Sequence, residues 1–178
     1  SFVRTEKQGR MPRGKEGRSM IFELPLVTII LLNCAVLPAI QLGCAWGFTR
    51  LPAGWFAGEV KCRSGGGGSY FLIRKWKRWI PDGASWFRGG FPKRSLESMY
   101  PGYLRAFAVE TWRGEACHWT AMALCCIPFL WNPWWGCAVI AAYALFANVP
   151  CILIQRHNRH RLGKVMAHSR ALAKSARS

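Results

Sequence analysis

The forty residues from Ala116 to Gln155 contain no Lys, Arg, Asp or Glu, and that run limits what the chain can fold into more than any other feature. It is entered through Glu110, Arg113, Glu115 and His118 and left through Arg156-His157-Asn158-Arg159-His160-Arg161. About twenty apolar residues cross a bilayer core. Forty, divided by Asn132-Pro133, therefore predict a membrane hairpin of two spans joined by a tight turn, with the ionisable residues gathered at one membrane face.

A second run, Leu24 to Thr49, holds 26 residues without a formal charge, enough to cross once, with a kink expected at Pro38. The 25 Lys and Arg lie outside both runs: 6 in residues 1–19, 12 in 49–115 and 7 from Arg156 onward, for a formal net charge of +17. The pattern predicts an all-α membrane protein with about three transmembrane helices, near 24–48, 112–131 and 135–155. An amphipathic interfacial helix is expected at Tyr70 to Ile80, with Phe71, Ile73, Trp76, Trp79 and Ile80 as its apolar set.

Residues 20–163 read as one integral-membrane catalytic domain, 1–19 as a basic extension expected to be disordered, and 164–178 as a basic tail. The positive-inside rule puts the 49–115 segment and the C-terminus on the cytoplasmic side. The 6 basic residues of 1–19 would then lie on the other side. A natural start of translation at Met20, or a re-entrant hairpin bent at Pro38, resolves the conflict; the first is preferred.

Basic chains also bind nucleic acid, and Ile73-Arg74-Lys75-Trp76-Lys77-Arg78-Trp79 interleaves cations with aromatics that stack on bases. Beside membrane spans the same composition answers to cytoplasmic orientation and anionic headgroups, so membrane lipids rather than nucleic acid are the expected partners. Of 8 Cys, all but Cys62 lie in or beside apolar runs and none forms a Cys-x-x-Cys pair, which speaks for small apolar residues. His157-x-x-His160 lacks Cys or acidic companions, so no metal is expected. Gly65 to Ser69 reads as a linker, since no Gly-Lys-Ser/Thr follows it.

The candidate chemistry sits at the start of the second span. Glu110, Thr111, Gly114, Glu115 and His118 are expected in one sector of the helix, with Trp112, Ala116 and Trp119 on the opposite side. Glu115 and His118 stand three apart, so the carboxylate is in reach to fix the imidazole tautomer and raise its basicity. The imidazole would then take a proton from a hydroxyl attacking an activated acyl group. The plainer alternative pairs Glu115 with Arg113 or another cation and lets His118 hydrogen-bond across helices. Intramembrane ionisable groups are costly, which favours a functional role.

On the third span Asn148, Cys151, Gln155, Asn158 and Arg159 share a face, and Pro150 leaves one carbonyl without its helical donor. Arg156, Arg159 and Arg161 suit a phosphate or carboxylate, such as that of a coenzyme A or acyl-carrier donor.

Taken together these residues resemble the glycosyl-4,4'-diaponeurosporenoate acyltransferase family of bacterial membrane proteins. The resemblance runs over most of Met20 to Leu162. It rests on Thr49-Arg50-Leu51-Pro52, Trp55-Phe56, Ile73-Arg74-Lys75-Trp76-Lys77, Asp82-Gly83, Glu110-Thr111, Arg113, Glu115, His118-Trp119, Ala147-Asn148-Val149-Pro150, Ile154-Gln155-Arg156 and Asn158-Arg159. The Gly65 to Gly68 tract and the Trp131-Asn132-Pro133-Trp134-Trp135 turn depart from the pattern. The resemblance implies transfer of a fatty acyl group to a sugar hydroxyl of a lipid-linked glycoside in a bacterial cell membrane. No bound cofactor is expected, and acyl-CoA or acyl-carrier protein would be the co-substrate.

Within that expectation His118 is the general base and Glu115 its orienting partner. Glu110, Thr111, Arg113, Asn148, Gln155, Asn158 and Arg159 bind substrate, and Arg74, Lys75, Lys77 and Arg156 attract the donor. Two alternatives stand beside it: a small membrane methyltransferase- or reductase-like enzyme, and a non-catalytic lipid-binding membrane subunit.

Overall fold

The computed structural model describes residues 24–58 and 98–175, which are helical and contain no strand. The expected interfacial helix at Tyr70 to Ile80, with Arg74, Lys75 and Lys77, lies outside these residues, as does the 1–19 extension. Three α-helices make up the described fold: α1 (Leu26–Arg50), α2 (Pro101–Leu124) and α3 (Trp134–Ser175). Short 3-10 turns follow the first two, at Ala53–Phe56 and Ile127–Leu130.

Local sequence sets these boundaries. Pro52 holds Leu51 in an extended conformation (φ −71°, ψ 144°) and ends α1. Pro101 occupies the first position of α2, where its missing N–H has no helical partner in any case, after an extended Tyr100. The hairpin turn falls at Trp131–Pro133, and α3 starts directly after Pro133. Pro38 and Pro150 are carried inside α1 and α3, which continue past them as helix.

α1 and α3 are both long and apolar enough to cross a membrane. At 1.5 Å per residue the 42 residues of α3 extend about 63 Å, roughly twice a bilayer's hydrocarbon thickness. Its far end is helix as well, so the expected basic tail from residue 164 begins as a continuation of α3. α2 carries Arg105, Glu110, Arg113 and Glu115 and is free of charge only from Ala116.

The helices pack as an antiparallel α2–α3 pair with α1 laid alongside. Two apolar cores tie them. Toward the start of α2, Leu104, Phe107 and Ala108 close on Leu162, with Tyr103, Val165 and Met166 against them. Near the turn, Cys125, Ile140 and Ala144 form the second core, onto which Leu37 and Ile40 of α1 pack. The polar seam lies between them.

α1 is fastened at both ends. Beside the turn, Asn33 Nδ2 donates to Asn132 Oδ1 at 2.8 Å while Asn132 Nδ2 donates to Asn33 Oδ1 at 3.0 Å. Trp131 Nε1 donates to the same Asn33 oxygen at 3.0 Å, and Asn132 Nδ2 also reaches the Pro128 carbonyl at 2.8 Å. Gly136 admits this arrangement, because a Cβ there would stand 2.9 Å from Asn132 Oδ1. At the opposite end Arg113 Nη2 donates to the Leu51 carbonyl at 3.2 Å, and its guanidinium lies 5.5 Å from the Phe56 ring centroid.

Candidate functional site

Between the two apolar cores the facing surfaces of α2 and α3 turn polar. Thr111 and Asn148 are fully buried, and Glu115, Gln155, His157 and Asn158 are buried as well. The face expected from sequence on α2 (Thr111, Gly114, Glu115, His118) thus meets the stripe expected on α3 (Asn148, Gln155, Asn158, Arg159). The antiparallel register joins them in order: His118 to Asn148, Gly114 to Gln155, Glu115 to Arg156, and Thr111 to Arg159.

Glu115 and His118 share the face, but the structure gives each a partner on α3 instead of the other. The Glu115 carboxylate binds the Arg159 guanidinium through one oxygen and Arg156 Nε at 2.7 Å through the other, which also accepts from Trp119 Nε1 at 3.3 Å. A carboxylate set between two guanidiniums gains far more than it would from an imidazole of fractional charge. Glu115 therefore serves as the clamp between α2 and α3, the plainer of its two expected roles.

Arg159 is held on three sides. Besides Glu115, its Nη1 donates to the Thr111 carbonyl at 3.1 Å, and its Cζ stacks 3.8 Å from the Trp112 ring centroid. Here the expected placement of the tryptophans needs correction. Trp112 and Trp119 stand three before and four after Glu115, a spacing that puts them on its flank and not on the opposite face. That spacing is the signal in the sequence that identifies them as covers of the ion cluster.

His118 Nδ1 lies 3.1 Å from Asn148 Oδ1. The direction of this bond follows from the other end of the amide, whose Nδ2 donates to the Ala144 carbonyl at 2.9 Å. A carbonyl only accepts, so the Asn148 nitrogen must point to Ala144 and its oxygen to the ring. Nδ1 then carries the proton and Nε2 the basic lone pair, the tautomer a general base requires.

Glu110 pairs with Arg113, and Arg113 anchors the segment after α1, at the end of the seam away from the turn. Arg156 is half exposed, with its Nε engaged by Glu115. Gln155 is 91% shielded, its exposure being 9%, and its Oε1 has no hydrogen-bond partner.

Comparison with known proteins adds to this geometry. A family profile described as glycosyl-4,4'-diaponeurosporenoate acyltransferase matches residues 65–168, more than half of the chain. The match takes in α2, the turn and most of α3 and leaves out α1, a narrower stretch than Met20 to Leu162. Two proteins named glycosyl-4,4'-diaponeurosporenoate acyltransferase, from Staphylococcus aureus strains bovine RF122 / ET3-1 and MRSA252, are each 35% identical to the chain over 97 residues. The aligned part is 54% of this chain and 58% of theirs, so the chain spans a little over half the length of these relatives. No solved structure matches.

Proposed function

The chain belongs to the glycosyl-4,4'-diaponeurosporenoate acyltransferase family, and from that premise we propose that it moves a fatty acyl group from a thioester to a sugar hydroxyl of a membrane-borne glycoside. The acceptor is a glycosylated carotenoid or a similar glycolipid, and the donor acyl-CoA or acyl-carrier protein. His118 Nε2 takes the proton of the attacking hydroxyl, the oxygen adds to the thioester carbonyl, and the tetrahedral intermediate collapses with the thiolate leaving and recovering that proton. The observation that carries this reading is the fully buried Asn148, which fixes the imidazole in the required tautomer.

Placement in the bilayer is supported by apolar side chains that no protein surface covers. Leu26, Val27 and Leu31 on α1, and Val139, Leu145 and Phe146 on α3, are more than half exposed. An aqueous surface seldom carries so much contiguous apolar area. Exposed tryptophans mark the two ends: Trp134 and Trp135 at the turn, and Trp46 and Trp55 where α1 ends, with Arg50 lying over Trp46. The 21 residues from Leu26 to Trp46 rise about 30 Å, the thickness of the hydrocarbon core.

The charge-free end of α2 from Ala116 and the 3-10 turn after it make a third span, with Glu115 and His118 where acyl tails meet the headgroups. The basic 49–115 segment and the C-terminus are then cytoplasmic, where thioester donors are made. Arg156, which is half exposed, and Arg74, Lys75 and Lys77 attract the donor's anionic groups. The reading is tested by lipid profiling of bacteria that make a glycosylated carotenoid, with and without the chain. A new acylated glycoside supports it, and an unchanged profile with the protein present in the membrane counts against it.

A further inference from the structure

One group on the seam is left over by this mechanism. Gln155 is buried, its Oε1 has no partner, and its carboxamide lies over the backbone of Gly114. Gly114 leaves it room: a Cβ there would come within 3.2 Å of Gln155 Cδ and 3.3 Å of Nε2. Buried polar atoms are almost always paired, and an orphan acceptor is destabilising. A methionine would fill the same space without that penalty.

The position of the orphan says what would satisfy it. Gly114 and His118 stand one helical turn apart on α2, about 6 Å, and both keep partial exposure. A hexose with its hydroxyls spans that separation. The group beside Gln155 is expected to be uncharged, because an anion would be drawn to the half-exposed guanidinium of Arg156 instead. A hydroxyl both donates and accepts, so it satisfies whichever end of the carboxamide is turned inward. An acyl chain satisfies neither.

Resting on the acyl-transfer reading, we propose that Gln155, seated on Gly114, is the acceptor subsite: it holds a second hydroxyl of the sugar and so decides which hydroxyl is presented to His118. Gln155 acts on selectivity and acceptor binding, whereas Asn148 acts on the base itself.

The test uses the full chain in lipid nanodiscs with a long-chain acyl-CoA, a hexosyl lipid and the monodeoxy analogues of that lipid. Gln155→Met is expected to raise the acceptor KM about tenfold, the loss of one hydrogen bond, and to leave the donor KM unchanged. One monodeoxy analogue should be a poor acceptor for the wild type yet no poorer than the parent lipid for Gln155→Met, and the ester should spread over more than one hydroxyl. The melting temperature of Gln155→Met should hold or rise, which a purely structural role for the amide would not give. Gly114→Ala, which presses on the same carboxamide, should move acceptor KM and product pattern in the same direction. An unchanged acceptor KM and a single unchanged ester in Gln155→Met would overturn the subsite while leaving the acyl-transfer reading intact. A wild-type protein that esterifies none of the hexosyl lipids would overturn both.

Discussion

His118 and Asn148, thirty residues apart in sequence, meet at 3.1 Å across the α2–α3 seam, with the amide locked from behind by the Ala144 carbonyl. The ring is thereby fixed by an uncharged group, and the acid that neighbours it in sequence is employed elsewhere. This separates orientation of the imidazole from cohesion of the helix pair.

His118→Gln should abolish acyl transfer while membrane insertion and thermal stability stay near the wild type. Asn148→Ala should lower kcat about 100-fold, within the usual range for general-base catalysis, and change KM little. Steady-state kinetics on purified protein decide it. A His118→Gln variant that keeps its rate removes the imidazole from the mechanism.

Glu115→Gln should act first on stability. The substitution leaves the largely shielded Arg159 guanidinium without its counter-charge, and losing one partner of a buried ion pair costs about 3–5 kcal/mol. Thermal unfolding in detergent should show a large fall, exceeding that of any substitution at His118. A Glu115→Gln protein of normal stability that is catalytically dead would instead make the carboxylate a participant in the chemistry.

The Asn33–Asn132 exchange should prove cooperative. Asn33→Ala leaves Asn132 Oδ1 without its donor and Asn132→Ala leaves Asn33 Nδ2 without its acceptor, so each should cost about 1 kcal/mol or more, and the double variant less than the sum. A double-mutant cycle on thermal stability measures the coupling. Gly136→Val, which crowds Asn132 Oδ1, should resemble the Asn132 variant.

Arg156→Ala should raise the donor KM and leave the acceptor KM alone. Because Arg156 is half exposed, raising salt should mimic the substitution in the wild type and have less effect on the variant. Donor titrations at two ionic strengths read this directly.

Much of this arrangement is legible in the sequence, and the reason is periodicity. The charge-free run with Asn132-Pro133 inside it announces the hairpin, and spacings of three and four place Thr111, Glu115 and His118 on one face and Asn148, Gln155 and Arg159 on another. The register between the faces is not legible. Ile127–Leu130 wind as a 3-10 turn, which rises about 2.0 Å per residue against 1.5 Å in α-helix. The residues on either side of it form turns, so the two arms cannot be matched by counting outward from Pro133. For that reason the partners of Glu115, more than forty residues away, emerge only from the folded pair. The burial of Gln155 without a partner is a property of packing and has no sequence signal at all.

The unbroken course of α3 through the seam makes helical phase a quantity the protein must keep. Asn148 and Arg159 are read by the same neighbouring helix from one continuous spiral. Adding or deleting a single residue between Cys151 and Gln155 would swing Arg156 and Arg159 by about 100° away from Glu115 and leave Asn148 on His118. Such an indel preserves every residue named in the chemistry and still uncouples the imidazole from the ion cluster that holds its helix in place.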